Sequence, residues 1–170
     1  MVNIALVGCN GKMGKAVTSA VQSRNDCEIV FGADPFGTPA YDYPVFESLA
    51  VSDKKADVII DFSNPASLDD ILAYALEKKI PCVLCTTGYS PEQVEKIKKA
   101  SESVAVFYSG NMSLGINLLI ELSKEAAKIL SAADFDIEIV EKHHNQKIDA
   151  PSGTALMIAD GISDTLAEDN

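Results

Sequence analysis

The apolar positions of the chain alternate between short continuous runs and stretches at helical spacing. Residues 4–7 (Ile-Ala-Leu-Val) form an unbroken apolar run, the pattern of a strand covered on both faces. Ala16, Val17, Ala20 and Val21 then recur at helical spacing. Residues 28–33 read as a second strand that ends at Asp34-Pro35. Residues 35–50 hold three prolines, Gly37 and two tyrosines, and are expected to form a loop with little regular structure. Val58-Ile59-Ile60 is the next buried strand. Asn64-Pro65 opens a helix with Leu68, Ile71, Leu72, Ala75 and Leu76 on one face. The unit repeats with a strand at 81–85 and a helix that starts at Ser90-Pro91-Glu92-Gln93, where Ser90 and Gln93 are spaced to close a capping box. A strand at 104–108 and a helix at 114–130 follow. That helix is apolar on more than one side and is expected to be well buried.

The pattern changes after Ala133. Asp136-Ile137-Glu138-Ile139 alternates strictly, as in a strand of a sheet with one wet face. Residues 152–166 read as a helix with Ala155, Ala159, Ile162 and Leu166 on one face and Gly161 inside it. The expected fold is α/β: a Rossmann-like parallel sheet with helices on both faces, followed by the start of a second α+β domain. The division is placed at 1–132 for a dinucleotide-binding domain and 133–170 for the opening of the second.

Composition narrows the functions. The 170 residues are 47% apolar and 23% charged, the balance of a globular chain. A net charge of −11 argues against a general nucleic-acid binder and against an anionic membrane surface. It leaves small anionic ligands open, because helix N-termini and a few local cations hold those. No apolar run is long enough to span a bilayer, and the apolar N-terminus reads as a strand, not a signal peptide. Four cysteines without an export signal point to a cytoplasmic protein. Cys82-x-x-Cys85 looks like half a zinc site, but no second pair is spaced to complete it, so core packing and no metal are expected.

Two segments carry candidate chemistry. Gly8-Cys9-Asn10-Gly11-Lys12-Met13-Gly14 lies between a predicted strand and a predicted helix, the setting in which glycines mark a dinucleotide site. Gly8 permits the tight turn, Gly11 the approach of a pyrophosphate, and Gly14 close packing of helix on strand. The spacing is G-x-x-G-x-x-G. Lys12 either contacts the pyrophosphate or is solvated. Asp34, 20 residues after Gly14, is placed to accept hydrogen bonds from the adenosine ribose. Its charge would repel a 2′-phosphate, so NADH is expected to be preferred to NADPH. Tyr41 and Tyr43 either touch adenine or pack on the domain edge.

The second segment runs Glu141-Lys142-His143-His144-Asn145-Gln146-Lys147-Ile148-Asp149-Ala150-Pro151-Ser152-Gly153-Thr154. It offers proton donors near neutral pH and runs into a helix start suited to a carboxylate. The residues alone leave two readings open: a proton-donating anion site, or a solvated polar loop with Ser152 as an ordinary N-cap.

His-His-x-x-Lys followed by Asp-Ala-Pro-Ser-Gly-Thr-Ala resembles the signature of the 4-hydroxy-tetrahydrodipicolinate reductase (dihydrodipicolinate reductase) family. Gly8 to Gly14, Asp61-Phe62-Ser63-Asn64-Pro65, Thr86-Thr87-Gly88 and Asn111-Met112-Ser113-Leu114-Gly115-Ile116-Asn117 resemble its other motifs. Cys85 departs from the glycine usual before Thr-Thr-Gly. The resemblance implies hydride transfer from NADH or NADPH to a small cyclic, dicarboxylated imine in diaminopimelate and lysine biosynthesis. It implies His143 as proton donor, with Lys147 as second acid or as a cation on the ring and a carboxylate. His144, Ser152, Gly153 and Thr154 would bind the substrate carboxylates. Gly8, Asn10, Gly11, Lys12, Met13, Gly14 and Asp34 would hold the nucleotide; Phe62, Ser63, Thr86, Thr87 and Gly88 would lie along its nicotinamide half; and Asn111 and Met112 would lie at the passage between domains.

Family members continue through further strands that build a homotetramer, so the chain is expected to lack the C-terminal part. Two alternatives stand beside the reductase. One is another Rossmann dehydrogenase of the aspartate pathway, against which the His-His-x-x-Lys segment argues. The other is a nucleotide-binding module without catalysis.

Overall fold

The computed structural model describes residues 1–36, 41–145 and 150–168. They divide into two compact units, at residues 1–110 and from 111 onward. In the first unit, β1 (Val2–Val7), α1 (Lys12–Gln22), β2 (Cys27–Ala33), β3 (Val45–Phe46), β4 (Val58–Asp61), α2 (Leu68–Lys78), β5 (Cys82–Leu84), α3 (Pro91–Ser101) and β6 (Val106–Tyr108) follow in order. The six strands form one sheet in the order β3-β2-β1-β4-β5-β6, and every pair is parallel. This is the expected Rossmann-like α/β architecture.

Alternation along β1 explains why its sequence is continuously apolar. Ala5 and Val7 join the core beneath α2 and α3, with Phe31, Ile59, Leu68, Ile71 and Leu84. Ile4 and Leu6 join the opposite core, with Ile29, Cys9 and the α1 residues Val17 and Val21. Successive side chains point to opposite faces, so a strand covered by helices on both sides has no polar position to spare. The Ser90 capping box at α3 is formed in both directions: the Ser90 hydroxyl accepts the Gln93 N–H, and the Gln93 side chain accepts the Ser90 N–H. Asn64 accepts the Ala66 N–H and opens a short 3-10 turn ahead of α2.

The loop expected at 35–50 contains more structure than its prolines suggest. Val45–Phe46 adds β3 to the edge of β2, and Leu49–Val51 forms a 3-10 turn. Pro44 cannot donate a backbone hydrogen bond, but its carbonyl accepts the Gly32 N–H at 2.9 Å and so starts the pairing.

In the second unit α4 (Leu114–Ser131) packs on α5 (Gly153–Glu168). A β-carbon at Gly161 would lie 3.3 Å from Ile120 Cγ2, so the glycine lets the two helices approach closely. Two expectations are overturned here. Residues 136–139 form no strand; they pair with no neighbour among the described residues, and alternation alone supplies no partner for their backbone groups. Helix α4 is not well buried either: Ala127 is its buried residue, while Leu114 is 85% and Leu118 58% exposed. A helix apolar all round needs cover on every side, and α5 covers one. The contact division at residue 110 also falls earlier than the 132/133 change of pattern, because α4 packs with α5.

Candidate functional site

The strand order reverses between β1 and β4, and the loops leaving these strands diverge there. A cleft of about 550 Å³ opens at this point. It is lined by Gly8 and Gly11 after β1, Asp34 and Phe36 after β2, and Phe62 and Ser63 after β4. Gly8 has φ +74°, and a β-carbon on it would lie 2.6 Å from the Phe62 carbonyl oxygen. No other residue fits between the two loops. Gly11 is the N-cap of α1 and supplies no capping side chain, which leaves the first N–H groups of the helix available to an anion. Gly14 faces the turn itself, with the Cys9 carbonyl carbon 2.6 Å from where its β-carbon would be. Lys12 and Met13 are exposed at the start of α1.

Asp34 is nearly buried, and its carboxylate organises this turn. Oδ2 accepts the Asn10 N–H at 3.0 Å and Oδ1 accepts the Phe36 N–H at 2.9 Å. The Asn10 amide donates to the Phe36 carbonyl. An ionised carboxylate accepts about four hydrogen bonds, so capacity remains for ribose hydroxyls. Tyr41 donates to the Cys9 carbonyl at 2.9 Å and stacks on Tyr43, whose hydroxyl lies 2.8 Å from Thr18 Oγ1. Both tyrosines therefore pack against the glycine turn and α1.

The loops after β4 and β5 share one buried acid. Asp61 is wholly inaccessible. Its Oδ1 accepts both the N–H of Ser63 at 2.9 Å and the Ser63 hydroxyl, and its Oδ2 accepts the Tyr89 hydroxyl at 3.1 Å. Burial first, and the Asp61 charge second, push the Tyr89 phenol above its ordinary range. Thr86 is buried beside this group. Its hydroxyl makes no hydrogen bond of ordinary geometry, although it is near enough to the Tyr89 hydroxyl to influence it. Thr87 and Gly88 are exposed, and Gly88 has φ +81°. The glycine cradle and the half-used Asp34 carboxylate fit a dinucleotide. Cys82 and Cys85 are free, buried thiols whose environment is that of core residues.

In the second unit, Asn111 donates to Asn117 Oδ1 at 3.0 Å and accepts the Ser113 N–H at 2.9 Å. Ser113 caps α4 by accepting the Ile116 N–H at 3.3 Å, and Met112 is exposed. His143 and His144 are exposed. Glu141 Oε2 pairs with His143 Nδ1 at 3.6 Å, and Glu141 Oε1 accepts the Ser152 N–H at 2.8 Å. Ser152 is buried, and its hydroxyl accepts the Ala155 N–H at 3.1 Å, so this hydroxyl serves as the N-cap of α5. Gly153 is exposed, with nothing within 4 Å of a β-carbon, and Thr154 is half-buried. Lys147 lies outside the described residues.

The structure thus joins Gly8, Gly11, Asp34, Phe62 and Ser63 in one cleft, and joins His143 to Ser152 through Glu141. Sequence reasoning gave no role to Asp61, Tyr89 or Glu141. For Glu141 a signal was present: an acid two residues before a histidine is placed on the same side wherever the chain is extended.

The family model for dihydrodipicolinate reductase, N-terminus, matches residues 2–112, and the model for dihydrodipicolinate reductase, C-terminus, matches residues 115–170. The chain is 52% identical over 168 residues to a 4-hydroxy-tetrahydrodipicolinate reductase of Clostridium tetani, covering 99% of this chain and 66% of the relative. It is 49% identical to the enzyme of that name from Caldanaerobacter subterraneus, again covering 66% of the relative. A dipicolinate-bound dihydrodipicolinate reductase from Paenisporosarcina sp. TG-14 superposes with a TM-score of 0.74 at 30% identity, over 97% of this chain and 66% of the other. The chain thus spans just under two thirds of the length of these relatives. The WlbA dehydrogenase from Chromobacterium violaceum, at 18% identity and a TM-score of 0.59, shares the fold.

Proposed function

The chain belongs to the dihydrodipicolinate reductase family, and from that premise we propose that it serves the pyridine-nucleotide-dependent reduction of 4-hydroxy-tetrahydrodipicolinate to tetrahydrodipicolinate in diaminopimelate and lysine biosynthesis. The observation that carries the reading is the Asp34 carboxylate held beside the Gly8–Gly11 turn in the cleft where the strand order reverses. Ligands of open parallel sheets bind at that crevice.

When bound, the reduced nicotinamide supplies the hydride, and the substrate hydroxyl leaves as water. The residues of the chain bind, orient and protonate. The Gly11 end of α1, with the backbone of Asn10, Lys12, Met13 and Gly14, receives the pyrophosphate. Asp34 accepts from the ribose hydroxyls and would repel a 2′-phosphate, so NADH is preferred. Phe62, Ser63, Thr86, Thr87 and Gly88 border the nicotinamide half. His143 gives the proton that quenches charge developing on the substrate ring. Lys147 acts with it. His144 and the N–H groups of Gly153 and Thr154 hold the carboxylates, while the Ser152 hydroxyl keeps the helix start in place. Asn111 and Met112 mark the passage from the nucleotide domain. Residues 133–170 begin the substrate-binding and tetramerisation domain, and the assembly is a homotetramer when that domain is complete. The free cysteines suit a cytoplasmic setting. Among the described residues no helix is long and apolar enough to cross a membrane.

The test follows NADH oxidation with the cyclic substrate generated in situ from pyruvate and aspartate semialdehyde. Substrate-dependent oxidation supports the reading. NADH binding without turnover favours a nucleotide-binding module instead.

A further inference from the structure

We propose that Glu141 is a positioning residue for the proton donor: it holds the His143 ring with a proton on Nδ1, so that Nε2 is the nitrogen from which the proton leaves. This rests on the assignment of His143 as donor in the proposed function. Its geometric basis is separate. Glu141 Oε2 lies 3.6 Å from His143 Nδ1, and Glu141 Oε1 accepts the Ser152 N–H at 2.8 Å. The carboxylate is half-buried; Oε1 is anchored by the Ser152 N–H, and Oε2 is the oxygen nearer the imidazole. The first turn of α5 brings no competing charge: Gly153, Thr154, Ala155 and Leu156 carry no ionisable side chain. Among the described residues of the same segment the charged or titratable neighbours are Lys142 and His144; Lys147 and Asp149 lie outside the described residues.

A carboxylate beside Nδ1 favours the ring form that keeps a proton there. In the imidazolium both nitrogens carry protons. Release from Nε2 to the substrate ring leaves a neutral imidazole that still donates from Nδ1 to Glu141. Release from Nδ1 would leave a lone pair facing the carboxylate. The acid stays ionised throughout, and solvent returns the proton to Nε2. A separation of 3.6 Å is an ion-pair distance, longer than a hydrogen bond, and catalytic contacts that are long without substrate commonly tighten once it is bound. The same side chain fixes the start of α5, where the N–H groups of Gly153 and Thr154 meet the substrate carboxylate. Donor and anion site are therefore referenced to one carboxylate.

Glu141→Gln separates the two roles. Its amide oxygen still accepts the Ser152 N–H, but its NH₂ group faces Nδ1 and favours the opposite ring tautomer. In the full chain we expect kcat to fall about 10- to 100-fold, the loss typical when the orienting partner of a functional histidine is removed. KM for the dicarboxylate should stay within about twofold, since that binding is uniform. Nitrogen NMR of the unaltered protein, with the two histidines assigned through a His144→Asn variant, should show neutral His143 protonated on Nδ1. In Glu141→Gln it should shift to Nε2. An unaltered kcat in Glu141→Gln, or an Nε2-protonated neutral His143 in the unaltered protein, overturns the proposal. The NMR result decides even if the variant does not fold. Turnover retained in His143→Gln would instead overturn the donor assignment. Turnover lost in His143→Gln but kept in Glu141→Gln would overturn the role of Glu141 alone.

Discussion

The carboxylate of Asp34 accepts the backbone N–H of Asn10 at 3.0 Å, so the acid that ends β2 also fixes the glycine turn that follows β1. Its other oxygen fixes Phe36. In the proposed binding mode a ribose would meet an acid that is already oriented, and the cost of ordering it has been met in folding.

Asp34→Ala is accordingly expected to harm NADH binding more than NADPH binding. Two bonds to an ionised acceptor are lost, each worth about 1.5–3 kcal/mol when buried, and the repulsion of a 2′-phosphate disappears with them. KM for NADH should rise about 100-fold or more, while the ratio of kcat/KM for the two nucleotides moves toward one. Initial rates with both cofactors check this. An unchanged ratio would remove Asp34 from cofactor selection, and equal efficiencies in the unaltered enzyme would refute the NADH preference itself.

Two glycines from the candidate sites should respond oppositely to alanine. At Gly14 a β-carbon would overlap the backbone of the turn, with the Cys9 carbonyl carbon only 2.6 Å away. Backbone cannot yield as a flexible side chain does, so Gly14→Ala should cost about 1–3 kcal/mol or more, seen as a lower Tm. At Gly153 nothing lies within 4 Å of the added atom. Gly153→Ala should leave Tm within about 2 °C, since a gain of up to about 1 kcal/mol in chain entropy is available where the backbone permits alanine. Equal melting curves for the two variants would contradict the close packing at the turn.

Alkaline pH should weaken the fold over a defined window. Burial pushes the Cys9, Cys82 and Cys85 thiols from 9.0 up to about 11, and burial pushes the Tyr43 phenol from 10.0 up to about 12. The folded state thus favours the neutral form of each group. Their contribution is fully present below the unfolded values, is lost as thiols ionise in the unfolded chain between 9.0 and about 11, and for Tyr43 between 10.0 and about 12. Denaturation midpoints should hold up to pH 9 and fall above it. A thiol reagent near pH 8 should modify Cys27, which is half-exposed, well before the three buried cysteines. Equal reaction of all four would contradict this burial.

The sequence made the sheet and its helices readable wherever a local rule sufficed. Continuous apolar runs marked β1 and β4, and Ser90 with Gln93 marked the start of α3 by spacing alone. Where structure depends on a distant partner, the reading fell short. The strand Val45–Phe46 is two residues long and exists because β2 has a free edge to pair with. The 136–139 alternation lacks such an edge among the described residues. The run Asp61-Phe62-Ser63 was visible as a motif, and the bond from Asp61 to Ser63 is local. Tyr89, 28 positions away, is not announced by any spacing. Glu141 was similarly in view beside His143, whereas its bond to the Ser152 N–H crosses 11 positions.

His143→Gln gives the sharpest comparison for the proposed chemistry. Gln keeps a polar side chain of similar reach but cannot supply a proton near neutral pH. With the cyclic substrate and NADH, kcat should fall by about 10²- to 10⁴-fold, while KM for the substrate changes by less than about threefold. A His143→Gln enzyme that turns over at the original kcat would contradict the assignment of His143 as the proton donor.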